Sequence, residues 1–186
     1  MKKDKINKQE DPPKSKSTNK FKFSLTLIAV IVITAVVLSP VINNKFVWDD
    51  AEYIVRNETL KKPLSEAIPF YFDTNYFVGN YHPLTMIGFL LEYKTANLNP
   101  ALYHNTNLLI HLLNVSLAFI FAFLLSRRNI WIASTVALLF GIHPMHVESV
   151  AWISQFKDVL FGFFYLLGLV VYLIYLDRQN WHKWIF

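Results

Sequence analysis

The sequence predicts an all-α, multi-pass membrane protein with a long structured first outer loop. Three observations predict it. The 186-residue chain is 54% hydrophobic and only 17% charged, proportions that exclude disordered chains, fibrous chains and most soluble enzymes. Its apolar residues gather in runs long enough to cross a ~30 Å hydrocarbon core at ~1.5 Å per helical residue. Its basic residues flank those runs on one side, as membrane orientation requires. The lack of cysteine also excludes a disulfide framework, a thiolate metal site and a cysteine nucleophile.

Residues 1–22 carry eight Lys against Asp4, Glu10 and Asp11, which accounts for the whole net charge of +5. From Phe23 onward ten basic residues balance ten acidic ones. The basic pI therefore belongs to a tail, expected to be disordered and held near the anionic inner face of a membrane. It does not mark a nucleic-acid-binding body.

Residues 23–42 hold no charge and no small-residue cleavage site, so they read as an uncleaved first span. Residues 104–125 form a second, closed by Ser126, Arg127 and Arg128. The third, at 127–143, is uncharged only over 130–142, ~20 Å of helix. It must either extend back through 127–129 or end below the surface in a protein-lined recess. Residues 159–176 form the fourth, closed by Asp177 and Arg178. Four crossings put the Lys tail, Arg127, Arg128, Arg178 and Lys183 on the cytoplasmic side. Residues 43–103 and 143–158 then face out. The chain stops at Trp184-Ile185-Phe186, which reads as the start of a fifth run, so a fragment of a longer protein is expected.

The first outer loop is too aromatic for a linker, with Phe46, Trp48, Tyr53, Phe70, Tyr71, Phe72, Tyr76, Phe77 and Tyr81 in it. It should fold onto the membrane surface, where rings are favoured. Short helices are expected at Leu64–Phe72, limited by Pro69, and at 83–93, with Leu84, Ile87, Leu90 and Leu91 on one side. Trp48-Asp49-Asp50 lies just past the first span, and adjacent carboxylates repel. Three readings compete: Asp49 as a helix cap, a general base beside a metal-binding carboxylate, or an ion pair with Lys45 or Arg56.

In the second span, His104, Asn107, His111 and Asn114 fall within ~80° of one another on a helix. Such a stripe turns inward, either to hydrogen-bond neighbouring helices or to line a wet path. The second outer loop holds His143, His146, Glu148, Lys157 and Asp158. These residue types bind divalent ions, but His146 and Glu148 diverge by ~200° on a regular helix. There is no Gly-rich phosphate loop, no hydrolase Ser motif and no internal repeat.

Four segments together resemble a known family: Phe46-Val-Trp-Asp49-Asp50, Asn80-Tyr-His82-Pro83, Asn99-Pro through Asn114, and His143-Pro-Met-His146-Val-Glu148 through Asp158. The likeness is to multi-pass proteins that join a GT-C-type glycosyltransferase membrane domain to tetratricopeptide repeats, relatives of the protein O-mannosyltransferases. It runs from about Phe46 to Tyr175. The resemblance implies a GT-C-like helical bundle with an extracytoplasmic site. It implies a polyprenyl-phosphate-linked sugar as donor and inverting transfer to an acceptor hydroxyl, on protein. Asp49 or Asp50 would serve as base or metal-site residue. Lys157, with Arg56, His82 and His104, would face donor or phosphate, and His146, Glu148 and Asp158 would hold a divalent metal. Membrane lipids are expected partners and nucleic acid is not. Composition favours a bacterial cytoplasmic membrane over the endoplasmic reticulum. Two other classes stay open: a non-catalytic membrane anchor or scaffold of a repeat protein, and part of a transporter.

Overall fold

The computed structural model describes residues 16–73 and 78–178. Among these residues seven α-helices follow in order: α1 Lys16–Leu38, α2 Leu64–Phe72, α3 Pro83–Ala96, α4 Pro100–Leu125, α5 Ile130–Ile142, α6 Pro144–Ala151 and α7 Phe156–Arg178. Short 3-10 and π turns link them, and no strand occurs among the described residues. The protein is an all-α membrane protein. Lys20–Asn43, Pro100–Leu125 and Ile153–Asp177 are each long and apolar enough to cross, and α5 with α6 makes a broken fourth.

α1 begins at Lys16, ahead of the expected start at Phe23; residues 1–15 of the tail lie outside the described residues. α4 starts where Pro100 supplies a preset φ and the Asn99 side chain accepts from the Ala101 amide at 3.2 Å. α4 ends in a tight reversal: Arg127 and Arg128 take φ of 56° and 66°. Asn129 then caps α5 by accepting from the Trp131 and Ile132 amides. The third span therefore does not extend back through 127–129.

It ends early instead. α5 stops at Ile142, and α6 leaves it at 55°. His143-Pro144 makes the break, since Pro144 has no amide to continue the ladder. Small residues Ala133, Ala137 and Gly141 line the buried face of α5, letting backbones approach as in other membrane bundles. A side chain on Gly141 would collide with Thr34 of α1.

The polar stripe of α4 bonds backbone carbonyls of the later elements, and its His111 meets the break. His111 Nε2 donates to Gly141 O at 3.0 Å, Asn107 Nδ2 to Trp152 O at 3.1 Å, and Asn114 Nδ2 to Val159 O at 2.8 Å. From α6, His146 Nδ1 donates to Phe140 O at 2.7 Å. The last carbonyls of α5 have no partner in their own helix, and the two imidazoles supply it. All four stripe residues are buried, and Asn107, His111 and Asn114 bond neighbouring elements.

The first outer loop folds into a cap whose core is continuous with α4, α6 and α7. Tyr53, Leu60, Tyr71, Phe89 and Tyr103 are buried there with Phe156 of α7, whereas Trp48 and Tyr81 remain exposed. α2 and α3 form where expected, α2 running through Pro69 to Phe72. The face of α3 differs. Thr85, Met86, Phe89 and Leu90 are buried, while Leu84 and Leu91 point outward. In a protein bounded by lipid, the most apolar face need not be the inner one.

The orientation set by the charge bias has a direct check. Single cysteines at Lys62 and Met145, both exposed, are expected to react with an impermeant maleimide added outside intact cells, and one at Asn129 is not. Asn57 is unsuitable: it is 4% exposed and its amide donates to Tyr53 O. Labelling at Asn129 alone would invert the topology.

Candidate functional site

The two outer loops are joined by one side chain. Asp50 is fully buried at the foot of the cap. Its Oδ2 accepts from the Val47 amide at 2.9 Å, and its Oδ1 accepts from the Ser154 amide at 2.8 Å and from the Ser154 hydroxyl. Residue 50 thereby holds the turn between α6 and α7, 104 positions along the chain. His104 of α4 is buried beside that carboxylate and the Asn44 backbone, and among the described residues neither ring nitrogen closes a hydrogen bond.

Asp49 is turned the other way. It is exposed, and its carboxylate makes no hydrogen bond or ion pair among the described residues. The expected side-chain cap is absent: the backbone carbonyl of Asp49, not its carboxylate, accepts from the Glu52 and Tyr53 amides. The expected ion pair is absent too, because Arg56 pairs with Glu52. Before it, Trp48 takes φ of 48° and is 80% exposed. A bulky residue in that region stores backbone strain, a feature that gathers at functional sites. Its ring meets Trp152 edge-on at 5.3 Å. Val47, Trp48, Glu148, Ala151 and Trp152 enclose a cleft of about 310 Å³, which lies next to Asp49 in the chain.

The His82 ring lies 5.3 Å from the Tyr53 ring, and its Nε2 is buried without a partner among the described residues. Burial lowers the His82 pKa, and the nearby Lys157 ammonium lowers it further. His82 therefore adds a neutral polar group beside a cation. Lys157 is half-buried in the first turn of α7. α3 and α7 approach closely there, since a side chain on Gly88 would overlap the Phe156 ring.

The expected metal trio is not assembled. Among the described residues no three His, Cys, Asp or Glu side chains are grouped to hold an ion. His146 is committed to Phe140 O, Glu148 accepts from Gln155 Nε2 at 3.3 Å, and Asp158 is exposed on α7. The irregular turn that would bring them together falls at 152–155, after Glu148, and serves Asp50 instead. Arg56 is exposed and paired with Glu52. Ser154 and Trp152 were missed as site residues. Ser154 stands in a recognisable motif, but a lone Ser carries no signal of a partner so far away.

Glu92 of α3 gives the cap a pH dependence. It is buried, its Oε1 lacks a partner among the described residues, and desolvation pushes its pKa up to about 7. The unfolded chain releases this proton near 4.5. Between those values the folded state binds more protons, so stability falls as pH rises from about 4.5 to about 7 and is flat above. The expected loss is about 3 kcal/mol. A Glu92→Gln variant should flatten the thermal midpoint across that window in detergent. An unchanged slope would assign it to another group.

The fold and the site together define a class: a helical multi-pass membrane protein whose outer loops are clasped at the mouth of the bundle. No family profile and no solved structure matches the chain, but curated sequences do. It is 31% identical over 168 residues to Protein O-mannosyl-transferase TMTC2 of Homo sapiens, covering 83% of this chain and 20% of that protein. It is 31% identical over 149 residues to Protein O-mannosyl-transferase TMTC1 of Mus musculus, covering 74% and 15%. Against Protein O-mannosyl-transferase TMTC4 of Homo sapiens it is 31% identical over 147 residues, covering 68% and 20%. Over the matched residues the chain belongs to the family of the TMTC protein O-mannosyl-transferases. It spans about a fifth of the length of these relatives. They are animal proteins and lend no support to the expected bacterial membrane.

Proposed function

We propose that the full-length protein transfers mannose from a polyprenyl-phosphate donor to a hydroxyl of an acceptor protein at the outer membrane face. The observation that carries this reading is the split of the acid pair: Asp50 locks the two loops together while Asp49 is left exposed and unpaired beside the Trp48–Trp152 cleft. The relatives' names supply the sugar and the class of acceptor. The GT-C architecture, the repeats and the lipid-linked donor rest on the resemblance of the motifs.

In this reading the acceptor oxygen attacks the anomeric carbon as the bond to the lipid phosphate breaks. The phosphate leaves with the bonding pair, and the acceptor's proton passes to Asp49. Lys157 faces the departing phosphate, whose growing charge needs a cation. His82 is a neutral polar neighbour there. The aromatic cleft and Glu148 receive the acceptor segment. Among the described residues the acidic and imidazole groups do not converge, so this reading assigns them no role in holding a divalent ion.

The test is donor binding by the full-length gene product. Lys157→Gln is expected to weaken polyprenyl-phosphate-mannose binding roughly tenfold, as loss of one charge-assisted contact would. Equal binding by parent and variant, or none by either, would favour a scaffold.

A further inference from the structure

A second cleft, of about 750 Å³, opens at the opposite end of the bundle. The start of α1 gives it Lys20, Lys22 and Phe23, the end of α4 gives Phe123 and Arg128, and α5 gives Trp131. Among the described residues that line the cleft, the three charged ones are cationic and none is acidic. Lys20, Lys22 and Arg128 are exposed, and Trp131 is 81% exposed. Phe23 packs edge-on against Phe119 and Phe123 at 5.2 and 4.8 Å, so the cleft has a firm apolar floor. The site already described lies around the far ends of these helices, and this cleft shares no residue with it.

We propose that this cleft binds the headgroup of an acidic phospholipid from the cytoplasmic leaflet. Its position fits. It sits where uncharged stretches of α1, α4 and α5 meet flanking basic residues, which is the level of lipid headgroups. Its chemistry fits as well: Lys and Arg attract phosphate in an anionic leaflet, while Trp131 and the Phe rings meet the glycerol and upper acyl region. Its construction is specific. Arg128 reaches the cleft only because the chain reverses through two left-handed residues, Arg127 and Arg128, with the Arg128 amide donating to Phe123 O at 2.8 Å. Non-glycine residues adopt that conformation at a cost, and here it directs a cation to a rim made by α1. A free anion would use the charges alone; a lipid uses the aromatic floor too, and the proposal commits to the lipid.

The experiment is fluorescence quenching in phosphatidylcholine vesicles carrying a minor fraction of brominated lipid. The difference between the parent and a Trp131→Phe variant isolates the signal of Trp131. Brominated phosphatidylglycerol is expected to quench Trp131 several-fold more effectively than brominated phosphatidylcholine at equal content. Lys20→Gln, Lys22→Gln and Arg128→Gln should each reduce that preference, by up to roughly fivefold per charge. Quenching by brominated phosphatidylcholine should stay unchanged, which reports correct insertion. Where a combined variant alters that control, the single Arg128→Gln variant decides. Lys45→Gln, beyond the other end of α1, should leave the preference intact. Equal quenching of the parent by both lipids would overturn the proposal. So would a preference that survives loss of the three charges, or one lost equally in Lys45→Gln.

Discussion

Asp49→Asn is expected to lower sugar transfer by the full-length protein by roughly 10²- to 10⁴-fold, the usual scale for a general base. Insertion, thermal midpoint and donor binding should be unchanged. The carboxylate is exposed and carries no structural bond among the described residues, so the substitution removes an acceptor of protons and little else. Initial rates with saturating donor give the measurement. A variant that transfers at the parent rate would remove Asp49 from the chemistry, and the exposed acid would then be ordinary surface.

Asp50→Ala should act through structure. Its removal strands the Val47 amide, the Ser154 amide and the Ser154 hydroxyl in a buried position. Each such group costs ~1–3 kcal/mol to leave unpaired, so docking of the two loops should weaken by about 3 kcal/mol or more. Hydrogen exchange reads this directly: the Val47 and Ser154 amides should lose protection while amides of α4 keep theirs. Asp50→Asn retains one acceptor oxygen and should fall between. Unchanged protection in Asp50→Ala would mean that the cap core, and not the carboxylate, holds the loops. The two neighbours thus separate in a single comparison: one variant loses rate at constant stability, the other loses stability first.

Much of this fold was legible in the sequence because membrane spans are set by length and composition alone. α4, α5 and α7 lie where their apolar runs lie, and α2 and α3 occupy the predicted segments. The convergence of the outer loops was legible as well, since 43–103 and 143–158 share one side. The partner inside that contact was not. Asp50 meets Ser154, a neutral residue, while charge arguments point to His146, Glu148 or Lys157. Pairing by formal charge overlooks backbone amides, which are the commonest partners of buried carboxylates in tight turns. The buried face of α3 escaped for a different reason. Amphipathic reasoning assumes water on the polar side, and Leu84 and Leu91 are exposed on a protein bounded by lipid. The polar stripe of α4 was visible by its period, but its acceptors were not, because they are backbone carbonyls 30 or more residues away and only that of Gly141 lies at the helix break.

That break bears on how the protein is made. A 13-residue helix carries too few apolar side chains to partition into a bilayer as an independent unit. Its terminal carbonyls would meet hydrocarbon bare unless His111 were already at hand. The reversal at Arg127–Arg128 is short, and it delivers α5 directly against α4. The pair is therefore expected to enter the membrane as a hairpin, with the earlier helix receiving the later one. The imidazole on α4 is in this sense a waiting receptor, placed in the chain before the group it receives has been translated.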